Sequence, residues 1–486
     1  MTSENIIEVL IVGSGFGGLT AALNLKKMGI NDFVILERRA FFGGTWKQNV
    51  YPGAAVDVPS PLYSIDGEPF PWEHLYAKQK QLAQYTEHII EKHNLAPSIE
   101  LCATVIEAKW CKTHWQVKLE NGKTFKSKII INATGPLSSP AMPNIHGLQD
   151  LRGQVIHSNN WHDGIDLNNK LVAIVGSGAS AVQIIPSIIN RVKKLHIFQR
   201  TPHWVLSRFD YQIPKRFRAT LALRPINFAL RTLIYWLFEL RVIAFKYSPA
   251  LLRVLGAIPA KKHLLKQVEN ENLRKQLTPY FTIGCKRILV SDTYYPALQH
   301  QNTVLHTKDD YIEYASYEGL QTKQSGLIDA DLIILATGYN PEKSMVSYQV
   351  IGEKGKTLGA QWRDYPRAYL GTSMPNFPNF FIVTGPNTGI GHTSALFVIE
   401  SQMKYIMNCI KKLHEKSACS IQPTPEAEEG YTAMVHSEME KTVWYKGRCN
   451  SWYKNEHGKV IAMFPGFSFS FRRLCKKFAH HNHIIK

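Results

Sequence analysis

Two glycine-rich stretches are the residues of this sequence best suited to bind phosphate. The first has the spacing G-x-G-x-x-G and comprises Gly13, Gly15, Phe16, Gly17 and Gly18. The second ends in alanine instead of glycine and comprises Gly176, Gly178, Ala179, Ser180 and Ala181. Glycines in this pattern allow a tight turn and let backbone N–H groups approach a pyrophosphate at the positive end of a helix. The sequence therefore predicts two dinucleotide sites.

The residue that follows each glycine motif at the same distance differs between the two stretches. Glu37 lies nineteen residues after Gly18, and Arg200 lies nineteen residues after Ala181. A carboxylate here accepts a hydrogen bond from a ribose hydroxyl and repels a 2′-phosphate, whereas a guanidinium attracts that phosphate. We therefore predict FAD at the first site and NADP(H) at the second, where Thr201 follows the arginine.

The elements around each motif are those that would hold it in place. Apolar runs at 9–12 and 33–36 enclose the first motif and its helix, and runs at 171–175 and 195–198 enclose the second. The order strand, glycine turn, helix, strand is typical of an α/β fold with a parallel sheet. A similar phrase, A-T-G after an apolar strand, occurs at 133–135 and again at 336–338. The sequence thus predicts two Rossmann-like domains related by internal repetition.

Length and composition limit the class of protein. With 486 residues the chain predicts more than one lobe, and its 44% hydrophobic and 20% charged content is that of a globular protein. The formal charge of +19 permits anionic partners. The basic residues are dispersed and form no nucleic-acid module, so we expect phosphate-bearing cofactors and no nucleic acid.

The cysteines and the hydropathy pattern indicate the compartment. The seven cysteines include no C-x-x-C pair and no metal-ligand spacing, which predicts reduced thiols and no metal site. It also argues against a dithiol-disulfide flavoprotein reductase. Met1 to Glu8 lacks a basic start and no run of eighteen uncharged apolar residues occurs, so we expect neither a signal peptide nor a spanning helix, and a cytoplasmic location.

The segment after Glu37 resembles a known family. Residues 43–57 match the pattern G-G-x-W-x(4)-Y-P-G-x(3)-D of class B flavoprotein monooxygenases, the Baeyer-Villiger group and its flavin-containing relatives. In that family the segment wraps the FAD isoalloxazine ring. The resemblance implies that the following residues contact the flavin cofactor: Thr45, Trp46, Asp57, Tyr63 and Val105.

Residues 151–162 resemble the Baeyer-Villiger fingerprint F-x-G-x(3)-H-x(3)-W-P/D. Leu151 replaces the first phenylalanine and His162 replaces the final proline or aspartate, while His157 and Trp161 are in register. The tryptophan favours ketone chemistry, and the departure at His162 weakens that distinction. The resemblance implies that His157 couples the motion of two domains, and a purely structural histidine is the alternative.

Further residues take their roles from the same resemblance. Lys286 matches the lysine that contacts the NADP 2′-phosphate, and Arg287 matches the arginine beside flavin and nicotinamide, which Asp57 would hold. Trp452 matches the tryptophan of a mobile loop that closes over NADP, with a simple edge strand as the alternative. Arg287 and Asp57 are thus the expected catalytic residues.

The expected division of the chain follows from these motifs. Residues 1–141 and 371–486 would form the FAD-binding domain with a basic tail, and 142–208 and 283–370 the linker and NADP-binding domain. Residues 209–282 are rich in Leu, Arg and Lys and predict a helical insert in the NADP domain. Packing on that domain is one interpretation of its apolar stretch at 226–245, and peripheral contact with a membrane surface is the other.

The resemblance implies an FAD-dependent monooxygenase that uses NADPH and O2. In the family, reduced flavin captures oxygen as a peroxide at C4a, and attack on a ketone gives an ester or lactone. A flavin-containing monooxygenase that oxygenates nitrogen or sulfur of amines or thioethers is the alternative. An uncoupled NADPH oxidase or a non-catalytic flavoprotein is a further one.

Overall fold

A computed structural model of the chain describes residues 6–447 and 449–486. Its strands are β1 (Ile6–Val12), β2 (Phe33–Leu36), β3 (Ile99–Glu100), β4 (Val105–Trp110), β5 (Trp115–Leu119), β6 (Thr124–Asn132), β7 (Gln154–His157), β8 (Leu171–Val175), β9 (Lys194–Phe198), β10 (Val205–Leu206), β11 (Leu289–Val290), β12 (Thr303–His306), β13 (Ile312–Ala315), β14 (Leu320–Thr322), β15 (Gly326–Ile328), β16 (Leu332–Leu335), β17 (Gln349–Ile351), β18 (Phe380–Ile382), β19 (Ile421–Pro423) and β20 (His483–Ile485).

The helices lie between these strands along the chain, singly or in groups such as α5 to α10. They are α1 (Phe16–Lys27), α2 (Thr45–Gln48), α3 (Gln79–Lys92), α4 (Ala179–Ile188), α5 (Lys215–Leu221), α6 (Arg224–Glu239), α7 (Arg241–Lys246), α8 (Pro249–Leu252), α9 (Ile258–Gln267), α10 (Glu271–Leu277), α11 (Tyr294–Leu298), α12 (Pro341–Met345), α13 (Leu358–Gln361), α14 (Ala395–Glu415), α15 (Pro425–Met439), α16 (Val443–Lys446) and α17 (Ser468–Lys476).

The first sheet contains the first glycine motif. Its strand order is β17-β4-β5-β6-β1-β2-β3, with β18 also paired to β6. Strands β3, β2, β1, β6 and β18 are parallel to their neighbours, whereas β4, β5 and β6 form an antiparallel meander. Strand β1 lies in the middle of the parallel part, and its last four residues are buried because helices and strands cover both faces.

The second sheet contains the second motif. Its order is β12-β9-β8-β16-β7, and all its pairs are parallel. Strands β8 and β16 are almost entirely buried, as expected for central strands of a parallel sheet. In each sheet the glycine turn therefore follows the carboxyl end of a central strand. The two Rossmann-like units predicted from the sequence are present.

The helices α5 to α10 form the insert, and they differ from the prediction in two ways. The apolar stretch at 226–245 is not one helix, since it breaks at Leu240 between α6 and α7. In addition, α6 packs Ile234 and Tyr235 against Leu62 and Phe397 of the first lobe, by which we mean the part of the chain around the first sheet. Helix α9 instead contacts β10 beside the second sheet, around which the second lobe is built. The insert therefore touches both lobes.

Polar residues, not only leucines, form the buried face of α6. Arg231 donates to Glu400 at 2.7 Å and also to the carbonyl oxygen of Ser64, and Glu239 accepts from the backbone N–H and hydroxyl of Ser468 at 2.5 Å each.

Within the ranges the structure describes, no helix is long and apolar enough to cross a membrane.

The carboxyl-terminal residues expected to be a basic tail are folded. Helix α17 packs along α14, and β20 pairs with β19 to the end of the chain. Phe471 is fully buried in the main core, which explains why this basic segment stays attached.

Candidate functional site

The amino ends of α1 and α4 are built alike for anion binding. Gly15 and Gly178 are the N-cap residues, and neither helix receives a side-chain hydrogen bond at its cap. The first backbone N–H groups of each helix therefore remain available, with the positive end of the helix dipole behind them. A Cβ on Gly178 would meet nothing within 4 Å, so open space lies where a pyrophosphate would approach.

Glu37 lies at the carboxyl end of β2, beside the first of these helix ends. Its side chain is buried and accepts from the Ser14 hydroxyl at 2.7 Å and from the Arg39 backbone N–H at 3.1 Å. A cleft of about 640 Å³ lies alongside and is lined in part by Arg38, Thr104 and Val105. The predicted Val105 is thus brought to the same edge of the sheet as Glu37.

Three aromatic side chains pack together next to this site, two of them from the segment that follows Glu37 and one from α1. The Trp46 indole N–H donates to the Tyr63 hydroxyl at 3.0 Å, and the two rings are nearly perpendicular with centroids 5.8 Å apart. The Phe16 ring contacts Tyr63 from the other side at 5.8 Å. Burial raises the pKa of Tyr63 to about 12, so its hydroxyl stays protonated at neutral pH. Thr45, next to Trp46, is exposed.

The same segment bridges the two lobes, which the sequence did not predict. Gly53 has a φ of +82°, and a Cβ there would lie 2.3 Å from the carbonyl oxygen of Gln183 in α4. The Tyr51 hydroxyl donates to the Gln183 amide oxygen at 3.2 Å and accepts from Ser180 at 3.3 Å. Ser180, expected to contact a nucleotide, is therefore also a contact between the two motifs.

Arg287 and Asp57 form a bidentate ion pair across the interface of the lobes. Arginine Nε lies 2.5 Å from Asp57 Oδ2, and Nη2 lies 2.6 Å from Oδ1. Burial alone would raise the pKa of Asp57, but the guanidinium outweighs it and the pKa lies below its usual range. The charge of Asp57 in turn raises the pKa of Arg287. The arginine is a permanent cation whose side chain remains 44% exposed.

Two neighbours of this pair were missed in the sequence. Tyr453 is buried beside Arg287, and burial raises the pKa of its hydroxyl to about 12. Arg208 lies near Asp57, helps to lower its pKa, and donates to the carbonyl oxygen of Val56 at 3.0 Å. Tyr453 directly follows the predicted Trp452, which is 43% exposed, so adjacency was an available signal. Nothing in the sequence pointed to Arg208.

Lys286 and Arg200 converge at the second site without an acidic partner. The pKa of Lys286 is lowered, first by burial and then by the charge of Arg200. Among the residues the structure describes, neither cation is within ion-pair distance of a carboxylate. Thr201 Oγ1 lies 3.4 Å from the hydroxyl of Tyr280. A phosphate dianion would relieve the repulsion between the two cations, so these residues fit a 2′-phosphate.

The fingerprint segment contains β7, the edge strand of the second sheet. His157 is buried, and its Nε2 is 3.2 Å from the carbonyl oxygen of Gly338 while Nδ1 accepts from the backbone N–H of Asn159. Burial lowers the pKa of His157, so the ring is neutral near pH 7. Trp161 is buried in the core of the second lobe, whereas His162 is exposed.

The cysteines contradict one prediction. Cys285 and Cys449 form a disulfide, so reduced thiols were the wrong expectation for this pair. The other five, Cys102, Cys111, Cys409, Cys419 and Cys475, are free. Throughout residues 6–447 and 449–486, no group of three or more His, Cys, Asp or Glu residues is placed to hold a metal ion.

Known proteins share this arrangement. The family model described as pyridine nucleotide-disulphide oxidoreductase matches residues 10–222. A Baeyer-Villiger monooxygenase of Streptomyces coelicolor is 38% identical over 96% of this chain and 90% of its own length. One of Pseudomonas aeruginosa is 35% identical over 97% and 90%. A solved structure of an oxidized steroid monooxygenase bound to NADP superposes with a TM-score of 0.88 and 25% identity, covering 99% of each chain.

Proposed function

The chain belongs to the Baeyer-Villiger monooxygenases, and we propose that it inserts one oxygen atom of O2 beside the carbonyl of a ketone, giving an ester or lactone. It is an NADPH-dependent FAD monooxygenase. The observation that carries the proposed reaction is the Arg287–Asp57 pair, which holds a permanent, half-exposed cation between the two nucleotide units.

Each of the two glycine turns would bind one of the two cofactors. The amino end of α1, with Gly13 to Gly18 and Glu37, would hold FAD, and Thr45, Trp46, Tyr63 and Val105 would line its flavin and adenosine ends. The amino end of α4, with Arg200, Thr201 and Lys286, would hold NADPH. Bound together, these cofactors supply hydride transfer and the activation of oxygen.

Arg287 performs the electrostatic part of the reaction. Its guanidinium stabilises the negative charge that develops on the ketone's carbonyl oxygen, and such a preorganised donor lowers a barrier by about 3 to 4 kcal/mol. Asp57 fixes the plane of the guanidinium through two hydrogen bonds and keeps it protonated. Tyr453 and Tyr63, both protonated at neutral pH, lie near it and add no negative charge. Trp452, exposed next to Tyr453, would cover the NADP site.

We also propose the division of the chain that the motifs suggested. An FAD-binding domain of residues 1–141 and 371–486 would face an NADP-binding domain of residues 142–208 and 283–370, with 209–282 inserted. The separate sheets support this division in that each contains one glycine turn, but β17 (Gln349–Ile351) pairs with β4 of the first sheet, so the boundary near residue 370 lies too far along the chain.

Product analysis tests the reaction. The purified enzyme with FAD and NADPH is offered a cyclic ketone, an aryl ketone and a thioether side by side, and oxygen uptake is measured with product formation. Ester or lactone from either ketone is expected. Sulfoxide without ester would favour the flavin-containing monooxygenase alternative, and hydrogen peroxide without oxygenated product would favour an uncoupled oxidase.

We propose in addition that the insert contacts an anionic membrane surface. Of the 31 large hydrophobic side chains exposed in the described residues, 15 lie between residues 209 and 265. On α6 Leu233, Trp236 and Leu237 form an outer face that Leu240 continues just after the helix, and each of these side chains is about half exposed. The Trp236 ring lies 5.9 Å from that of Phe469, which continues this face onto α17. So many exposed apolar side chains in one region are typical of an interaction site.

The charge of the insert favours anionic lipid over a protein partner. Residues 209–266 contain eleven lysines and arginines against two acidic residues, so they contribute +9 of the formal +19. Glu239 among the acids and Arg231 among the cations are both buried, so these two opposite charges leave the balance of the exposed residues unchanged. An apolar face surrounded by cations binds in the interface of an anionic bilayer, where each cation near the surface contributes about 1 kcal/mol.

Vesicle sedimentation tests this contact. The protein is expected to sediment with phosphatidylserine-containing vesicles and less with phosphatidylcholine alone, and Leu233→Glu is expected to reduce the bound fraction. Leu327→Glu, at an exposed leucine outside the insert, is the matched control. Equal binding of wild type and Leu233→Glu would overturn the proposal. So would self-association without vesicles that Leu233→Glu abolishes, because it would assign the face to a second copy of the chain.

A further inference from the structure

We infer that Cys285 and Cys449 form a redox-sensitive modification site that ties the loop carrying Trp452 to the segment carrying Arg287. The disulfide joins residues 164 positions apart, with their Cα atoms 6.4 Å from each other. Cys285 lies two residues before Arg287, and Cys449 lies three residues before Trp452. The bond therefore lies next to both the expected catalytic cation and the loop expected to cover NADP.

The disulfide joins two distant segments of the chain inside one core, since Cys285 and Cys449 are both buried in the cluster that also contains Trp444. After Cys285 the chain enters β11, which pairs with β10 beside the second sheet. After Cys449 the chain returns to the first lobe, where Asn387 donates from its backbone N–H to the carbonyl oxygen of Ile461 at 2.7 Å and Gly389 to that of Ala462 at 2.7 Å. Breaking the bond removes the covalent link between the segment before β11 and the segment that leads to residues 461 and 462.

Few hydrogen bonds hold the described residues next to Cys449. Among described residues, the hydrogen bonds of 449–452 are local, from the N–H groups of Tyr453 and Lys454 to Ser451. Packing is close at the bond, since a Cβ on Gly447 would lie 2.3 Å from the Cβ of Cys285, and again at Tyr453, which is buried in the same core. The disulfide and the buried Tyr453 therefore restrain this stretch from its two ends, and reduction of the bond would remove the restraint on the side of Cys449.

The redox step needs only common thiol chemistry. A thiolate of a dithiol reductant attacks one sulfur and breaks the S–S bond, and its second thiol resolves the mixed disulfide. The reductant thus transfers two electrons and two protons to the protein. Cys285 and Cys449 become thiols, and the reductant becomes a disulfide. In the reverse direction hydrogen peroxide accepts two electrons as the S–S bond forms, and two waters are released. Both sulfurs are buried, so a bulky reductant must wait for the loop to open.

Thiol counting and hydrogen exchange test the site on the FAD-loaded protein. Denatured protein is expected to show five free thiols after peroxide and all seven after dithiol treatment, with a linked peptide joining Cys285 to Cys449 only in the former. Reduction is expected to lower the protection of amides 449–461. Cys449→Ser is expected to lower it regardless of redox state, whereas Cys419→Ser, at an exposed free cysteine, should match wild type.

Two results would overturn the inference. One is seven free thiols after peroxide, and the other is identical exchange of 449–461 in oxidised and reduced wild type, a comparison that needs no variant. An effect on turnover rests on the proposed function: oxidation is expected to slow the exchange of NADP and to lower turnover reversibly in wild type but not in Cys449→Ser. If no oxygenation were found at all, the thiol count and exchange would still decide whether the site exists.

Discussion

The two nucleotide units of this protein have the same order of strand, glycine turn, helix and strand. They differ in the residue that follows the second strand. In both, a buried strand leads to an uncapped helix and then to a second strand. In the first unit that strand ends in Glu37, which is buried and hydrogen-bonded, and in the second it runs on to Arg200, which is exposed beside Lys286. We propose that the fold supplies a generic pyrophosphate site in both units and that the charge at the end of the second strand selects the nucleotide.

The units also differ in how closely helix and turn approach. A Cβ on Gly18 would lie 1.9 Å from the carbonyl oxygen of Gly13, so only glycine fits there. The second unit accommodates Ala181 at the same place, fully buried. The helix of the first unit therefore lies closer to its turn than that of the second.

The largest expected effect comes from removing the residue at which the units meet. Arg287→Ala is expected to lower ester formation about 10²–10³-fold, because the charge developing on oxygen loses its donor. Flavin reduction by NADPH under anaerobic conditions should persist, since neither glycine turn is changed. Arg152→Ala, which breaks a surface pair with Asp329, is the control. Unchanged ester yield would contradict the role assigned to Arg287.

The charge difference between the units is tested next. Arg200→Gln is expected to raise the KM for NADPH about 10- to 100-fold and leave that for NADH nearly unchanged, because one charged contact to the 2′-phosphate is lost. Steady-state kinetics with both coenzymes measure this. Glu37→Gln, the matching change in the first unit, should weaken FAD retention without altering coenzyme preference. A preference that shifts with Glu37 and not with Arg200 would reverse the assignment.

The difference in helix approach predicts unequal tolerance of one methyl group. Gly18→Ala is expected to destabilise the protein by about 1–3 kcal/mol and to reduce bound FAD, because the new Cβ must displace backbone. The reverse change, Ala181→Gly, is expected to cost about 1 kcal/mol through lost helix propensity alone. Denaturant unfolding of the two variants compares them, and equal losses would show that both turns are equally close.

The smallest expected effect is a loss of stability of the second unit at acidic pH. Burial, followed by the charges of His306 and Lys194, lowers the pKa of His196 on β9 to about 4, while β2 of the first unit has no titratable residue. The unfolded chain therefore binds more protons between about pH 6.5 and about pH 4, and stability falls as pH drops through this window. Amides of β8 and β9 should lose protection before those of β1 and β2 on going from about pH 7 to about pH 5. Equal loss in both sheets would contradict this.

Much of the site was predictable because its determinants are local. Both glycine turns, the strands around them and Glu37 lie within short stretches whose hydropathy and spacing can be counted. Arg287 and Asp57, 230 residues apart, came only through family resemblance, since no spacing relates them. Arg208 and the contact of Gly53 with α4 were missed because both depend on how the lobes dock.

The sequence by itself determined two nucleotide turns, the charge at each, and an amphipathic pattern at 226–245, since hydrogen bonding and side-chain periodicity act over a few residues. Only the tertiary structure decided which side of that pattern faces inward. There Arg231 and Glu239 are buried because Glu400 and Ser468 satisfy them, and the leucines are left outside. It also paired Cys285 with Cys449, because partners so far apart meet only once the lobes are assembled.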